Sequence, residues 1–219
     1  LAANHLRCPG LRDAVEEHWL MAQQRVGGVD ERRALRRDRL IAAAADVYGE
    51  VGYRNATVRM ICRRARLTER YFYESFGTSE DLLIWTAQAL AGQTLERMRR
   101  LRDGTDADRD VKTRRMLKGY FRSQLDEPSK ARVFTLEFRG MSAAADAEFE
   151  RILDSFADLI VDTRDPQGIG LAARDRLLRR GIVGGILQIT VAWIESGYPE
   201  SIEAVVATAA RLCTLADPD

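Results

Sequence analysis

Between Glu31 and Ser79 lie eleven arginines and no lysine, at positions 32, 33, 36, 37, 39, 54, 59, 63, 64, 66 and 70. Six acids oppose them, so this segment carries +5 and leaves −4 for the remainder of a 219-residue chain whose formal net charge is +1. Guanidinium groups fork onto phosphate oxygens and pair bidentately with guanine. A basic module on a neutral-to-acidic body therefore points to nucleic acid. The densest chemistry is TVRMICRRARLTERYFYESFGTSEDLL, Thr57 to Leu83, where tyrosines interleave with arginines. Arg70 has the donors for guanine, Glu69 or Glu74 can accept from cytosine, and tyrosines such as Tyr71 suit phosphates or a thymine methyl.

Other chemistries find little support. The two histidines, His5 and His18, precede the first convincing helix, which argues against a histidine catalyst or metal centre in the body. Cys8, Cys62 and Cys213 are widely separated and form no CxxC pair, so neither a disulfide framework nor zinc is expected, and a reducing cytoplasm fits. No acid pair clusters in a motif, so no enzyme, cofactor or metal is expected. Gly168, Gly170 and Ala173 imitate a nucleotide fingerprint, but the preceding VDTRDPQ is no strand. The longest nearly apolar run, Ile182 to Ile194, is shorter than the roughly 20 residues of a membrane span.

The elements that must position the basic segment read as helices throughout. Leu40, Ile41, Ala44, Val47, Tyr48 and Val51 form one helical face, with Gly52 as its stop. Thr57 caps a second helix whose inner face is Val58, Ile61, Cys62 and Ala65. Leu67 and Thr68 restart the chain as a staple residue and a cap, with Phe72 and Phe76 on the inner face of a third helix. Thr78 and Asp81 form a capping box for a long fourth helix. Further helices follow over about Asp110 to Leu125, from Pro128 with Ala131, Phe134, Phe138 and Met141 on one side, along a Phe149 to Ile160 stripe, over about Leu171 to Ser196, and from Pro199 onward. The fold class is all-α with about nine helices. The division is 1–30 as an N-terminal extension, mostly mobile, 31–78 as a helix-turn-helix domain, and 79–219 as a regulatory and dimerisation domain. A short helix over Leu11 to Gln24 fits the extension, and Met21 suits an alternative start.

The stretch Arg36 to Leu83 resembles the DNA-binding domain of the TetR family of bacterial transcriptional regulators. The likeness rests on the alanine-rich first helix ending in Gly52-Tyr53, the Thr57-Val58 start, Ile61, Ala65, the Leu67-Thr68 turn, Tyr73, Phe76 and the Thr78 to Leu82 entry to helix four. It implies DNA contacts from Thr57, Arg59, Thr68 and Tyr73 and from the variable Glu69, Arg70 and Tyr71. Three departures stand out. Arg66 occupies the turn position usually held by Gly, Arg70 and Tyr71 replace smaller residues, and Ser79 stands where many members carry a phosphate-binding lysine.

The run Ile182 to Ile194 is apolar almost all round, so it is expected to pack on its own core with one face and on a partner with the other. The resemblance implies that the last two helices of each subunit build a homodimer interface. The expected contacts are Ile182, Gly185, Ile186, Ile189 and Trp193 with Val205, Val206, Ala209 and Leu212. It also implies a small-molecule effector, of a kind the residues do not identify. Trp85, Phe121, Phe134, Phe138, Phe156 and Trp193 are candidate lining for its cavity. The expected partners are a double-stranded DNA operator, a second copy of the chain and that effector, with no membrane. The alternative reading is a helical small-molecule-binding or catalytic protein that keeps the helix-turn-helix module unused.

Overall fold

A computed structural model describes residues 11–218, with side chains from residue 30 onward apart from Leu136 and Glu137. Among the described residues there are ten α-helices and no strand. Helix α1, Leu11–Val51, is 41 residues long. It joins what the sequence suggests as a separate short helix to the helix expected to open the helix-turn-helix domain. The reason is local: no proline lies between Pro9 and Pro128, and Gly27 and Gly28 each cost a helix only about 1 kcal/mol. The expectation for residues 1–10 lies outside the described residues.

The second half of α1 buries Leu40, Ala43, Ala44, Val47 and Tyr48. Gly52, at φ 77°, then turns the chain out of the helix. Two short helices close over this face, α2 (Val58–Ala65) and α3 (Glu69–Ser75). Their inward residues Ile61, Cys62, Ala65, Phe72 and Phe76 share one core with Tyr48, and Leu67 packs against it from the turn. Thr57 caps α2 by accepting from the Met60 N–H at 3.2 Å. Thr68 holds the cap position of α3 but makes no side-chain cap bond. Its hydroxyl is therefore left for another partner.

Helix α4, Ser79–Asp103, leaves this unit through the expected capping box, with Thr78 and Asp81 exchanging bonds of 2.9 and 3.0 Å. Its 25 residues span about 38 Å. It packs on α5 (Arg109–Asp126), and Gly119 admits the Leu101 side chain at the crossing. Helix α6 (Pro128–Arg132) continues into a π turn, Val133–Glu137, in place of the regular helix expected from Pro128 to Met141. Helix α7 (Ala143–Arg164) is capped by Ser142, whose hydroxyl also donates to Glu80 on α4.

The expected single helix from Leu171 is broken into α8 (Leu171–Arg174) and α9 (Arg176–Glu195). Asp175 makes the break, because its carboxylate accepts from the N–H groups of Leu177 and Leu178 at 2.8 and 3.1 Å. Helix α10 (Ile202–Cys213) starts at the Ser201 cap rather than at Pro199. Between α9 and α10, Tyr198 donates its N–H to the Trp193 carbonyl at 2.8 Å and lays its ring edge-on to that indole. At the far end of the bundle, Arg164 ties α7 to Asp217 at 2.5 and 2.6 Å and to Asp110 on α5.

The turn between α2 and α3 carries a backbone constraint of its own. Arg66 is left-handed at φ 53° and ψ 45°. Its N–H reaches the Arg63 carbonyl at 3.2 Å, and Leu67 reaches Cys62 at 2.9 Å, the paired bonds of a Schellman stop. A non-glycine residue in this region costs about 1 kcal/mol. Arg66→Gly should therefore stabilise the domain by up to about 1 kcal/mol, or about 2–4 °C in Tm for a chain of this size, less the entropy glycine restores to the unfolded state. Calorimetry checks it; a lower Tm would mean that the Arg66 side chain makes a compensating contact.

Candidate nucleic-acid interface and effector cavity

Helix α3 is anchored by Phe72 and Phe76 and presents its other side to solvent. Arg70 is 83% exposed and donates from Nε to Glu74 at 2.8 Å. In this pair the base precedes the acid by four residues, the less favourable order against the helix dipole. An exposed pair of this kind is worth about 0–1 kcal/mol. A bidentate guanine contact is worth about 1–3 kcal/mol, so the pair yields readily to a base. Tyr73 is 62% exposed, its ring held edge-on to Phe72 at 5.1 Å.

Tyr71, expected beside Arg70 on the reading face, is half-buried instead, with the Arg36 guanidinium 4.5 Å above its ring. The exposed tyrosine at the protruding surface is Tyr73. Glu69, Thr68, Thr57 and Arg59 are all exposed. Arg33 donates to the Glu74 carbonyl at 2.8 Å, closing the end of α3 from α1. On α2 the arginines divide. Arg64 is neutralised by Glu50 at 2.6 Å and lies 3.7 Å from Asp46, and its hydrogen bond holds the Glu50 carboxyl below the usual range. Among the described residues no carboxylate lies within ion-pair distance of Arg59 or Arg66.

Beyond α4 a narrow apolar slot opens among α4, α5, α6, α7 and α9. With its open mouth included, it has a volume of about 940 Å³. Leu90, Met98, Leu117, Phe134, Leu153 and Phe156 are prominent in its walls, while Arg97, Glu127 and Lys130 are the charged groups of its lining. Deep inside, burial pushes the Tyr120 phenol up to about 12. Its hydroxyl lies 3.1 Å from Thr190, which itself donates to the Ile186 carbonyl.

Of the six aromatic residues expected here, only Phe134 and Phe156 line the slot. Phe121 is fully buried against Trp193 at 5.6 Å, and Phe138 is fully buried near Phe149. Both are core because no open space reaches them. Trp85 is on the outside, 42% exposed, with the Arg37 guanidinium 3.5 Å above its ring. Leu90, Thr94, Leu153 and Leu187 also line the slot, and nothing in the sequence sets them apart from ordinary core positions. Small and branched apolar residues do not announce a cavity.

The predicted dimer residues also divide. Ile182, Ile186 and Trp193 are at most 5% exposed, and Val205, Val206 and Ala209 at most 6%, within the single subunit. They hold α9 and α10 to α5 and α7 and have no surface left for a partner. Gly185 serves the same internal packing, since a Cβ there would stand 2.9 Å from Leu212 Cδ1. Ile189 is half-buried against the core. Even so, only 33% of an 18-residue apolar stretch of α9 is buried, at a mean hydropathy of 1.4. By length and composition α9 meets the requirement of a membrane span that the shorter run Ile182 to Ile194 does not meet. Yet Arg179 and Arg180 in its first two turns pair with Asp158 and Glu150 on α7. Its inner face belongs to the bundle.

Cys62 and Cys213 are buried and free, and burial raises both thiols, Cys213 to about 12. Neither is a thiolate at neutral pH.

Residues 40–84 match the family described as bacterial regulatory proteins, tetR family. No curated protein matches the chain. Among solved structures, it is similar to the fatty acid degradation regulator FadR from Bacillus halodurans, at 23% identity and a TM-score of 0.69, over 81% of this chain and 97% of that one. It is similar to the transcriptional regulator FadR from Bacillus subtilis in complex with stearoyl-CoA, at 23% identity and a TM-score of 0.68, over 80% and 96%. A tetR-family regulatory protein from Rhodococcus RHA1 shares 17% identity at a TM-score of 0.61, over 84% and 98%. Taken with the exposed Arg70 of α3 and the helical body behind it, these likenesses show a TetR-like fold over about four-fifths of the chain, and within it residues 40–84 are the segment that matches the tetR family of bacterial regulatory proteins.

Proposed function

We infer that the chain is a ligand-responsive repressor that binds a palindromic operator as a homodimer, with an acyl amphiphile as its effector. The observation that carries this reading is α3, a short helix locked by Phe72 and Phe76 that leaves Arg70, Tyr73 and Glu69 to solvent on a segment of net charge +5. Its N-terminal residues enter the major groove, where Arg70 leaves Glu74 for a guanine. Thr57, Arg59, Thr68 and Tyr73 take phosphates. Tyr71, stacked under Arg36, sets the tilt of α3 against α1.

The exposed part of α9 supports the second copy. Gly181 and Ala192 are exposed there, and residues this small suit close helix packing, with Gln188 exposed between them. Two subunits so joined set their recognition helices about one DNA turn apart, roughly 34–36 Å. The slot supports the effector class. It is apolar within, with Arg97 in its lining for an anionic head, while Lys130 is held by Glu127 at 2.6 Å. The similar Bacillus subtilis regulator is in complex with stearoyl-CoA, which agrees with that class. An occupied slot presses on α4 and α6 and changes the separation of the two reading heads.

Fluorescence anisotropy on DNA from the promoter of its own gene tests the reading head. Arg70→Ala should weaken binding by about 1–3 kcal/mol and relax one base position; unchanged affinity and preference would remove α3 from the role given it. Gly184 has nothing within 4 Å of an added Cβ, so Gly184→Arg folds as a monomer if α9 is the interface, and sedimentation reads this directly. A dimeric Gly184→Arg protein would move the interface elsewhere. Stearoyl-CoA should raise the Tm and release the operator, with both effects lost in Leu153→Trp. An operator complex indifferent to stearoyl-CoA would exclude it as the effector.

A further inference from the structure

Between the two domains lies a second cleft, quite unlike the slot. It holds about 990 Å³ of open space between the end of α1 with its following turn, Gly49 to Asn55, and the segment of Arg132, Arg139 and Met141. Three arginines line it, Arg54 from the DNA-binding side and Arg132 and Arg139 from the regulatory side, with the Arg139 guanidinium 5.9 Å from the Phe149 ring. The carboxylate in its lining is Glu50, which is already held by Arg64 at 2.6 Å. Among the described residues, no carboxylate lies within ion-pair distance of Arg54, Arg132 or Arg139. Elsewhere in the regulatory domain, arginines that bridge elements are matched by acids, as Arg164 is by Asp110 and Asp217 and Arg180 is by Glu150 and Asp154.

Facing like charges across a domain junction are unfavourable unless an anion lies between them. Arginine forks suit phosphate oxygens in particular, since each guanidinium offers parallel donors. A Cβ on Gly49 would stand 2.5 Å from Ser129 Cβ and 2.9 Å from the Ser129 carbonyl carbon, so α1 and α6 touch backbone to backbone. Helix α6 is also the wall shared with the slot. Lys130 and Ala131 face the slot, while Ser129 and Arg132, three residues apart and so on one side, face α1 and the cleft.

We propose that this interdomain cleft is a phosphate-binding site, in which Arg54, Arg132 and Arg139 hold a phosphorylated group and brace the DNA-binding domain against α6. Its occupant adds a second ligand to the apolar effector of the slot, across the same short helix.

Inorganic pyrophosphate is the probe, and thermal shift on the DNA-free full chain is the first readout, so the result is independent of whether the chain binds an operator. Pyrophosphate should raise the Tm saturably at constant ionic strength. Arg132→Ala/Arg139→Ala, and separately Arg54→Ala, should each need at least tenfold more pyrophosphate for half the effect. Arg115→Ala/Arg211→Ala, on exposed arginines away from the cleft, should behave as the unaltered chain. A second arm separates the two sources of phosphate. If the occupant is a free small molecule, Arg132→Ala/Arg139→Ala binds operator normally without pyrophosphate. If it is the DNA backbone, that variant loses affinity equally on all sequences, with a shallower salt dependence, and pyrophosphate competes with DNA. Equal pyrophosphate response and equal operator binding in the unaltered chain and both cleft variants would overturn the proposal.

Discussion

At Gly49 the backbone of α1 lies directly on the backbone of α6, with no room for a methyl group. This contact fixes how the reading head sits on the body, because α1 supplies both the core of the head and the surface that α6 touches. The head is thus joined to the body twice. Helix α4 is continuous with it in sequence, and α6 meets it through space. Since α6 is also a wall of the apolar slot, one short helix touches both the slot and α1. The π turn after α6 gives the wall a different geometry from a regular helix, and it places Phe134 in the slot while Phe138 goes to the core.

The arginines of the head are used in three distinct ways, which net charge alone conceals. Arg64 is spent on Glu50 and Asp46 and joins α2 to α1. Arg36 and Arg37 lie over Tyr71 and Trp85, so cation–π contacts tie α1 to α3 and α4. Arg59, Arg63, Arg66 and Arg70 remain at the surface with donors to offer phosphate or base, and Arg54 lines the interdomain cleft. A +5 segment therefore presents fewer reading cations than its composition suggests, and they concentrate around α2 and α3.

Much of the head was legible in the sequence because its signals are local. Thr57 and Thr78 cap helices through bonds that reach only three residues ahead, and Gly52 stops α1 through its own backbone. Phe72 and Phe76 share a face by helical period alone. The break at Asp175 depends equally on one side chain, but the helix-forming residues on either side, LAAR and RLLRR, hid it. The joining of Leu11 to Val51 in one helix was hidden in the opposite way, by two glycines that weaken a helix without ending it.

Sequence by itself determined the all-helical class, the order of the helices and the inner faces of α1, α2 and α3, because helix period and capping are properties of neighbouring residues. Only the tertiary structure decided what each exposed or apolar face meets. It put Tyr71 under Arg36, Trp85 outside the cavity, and Ile182, Ile186 and Trp193 in the subunit's own core. An amphipathic stripe states that a face must be covered, and the packing of distant segments settles by what.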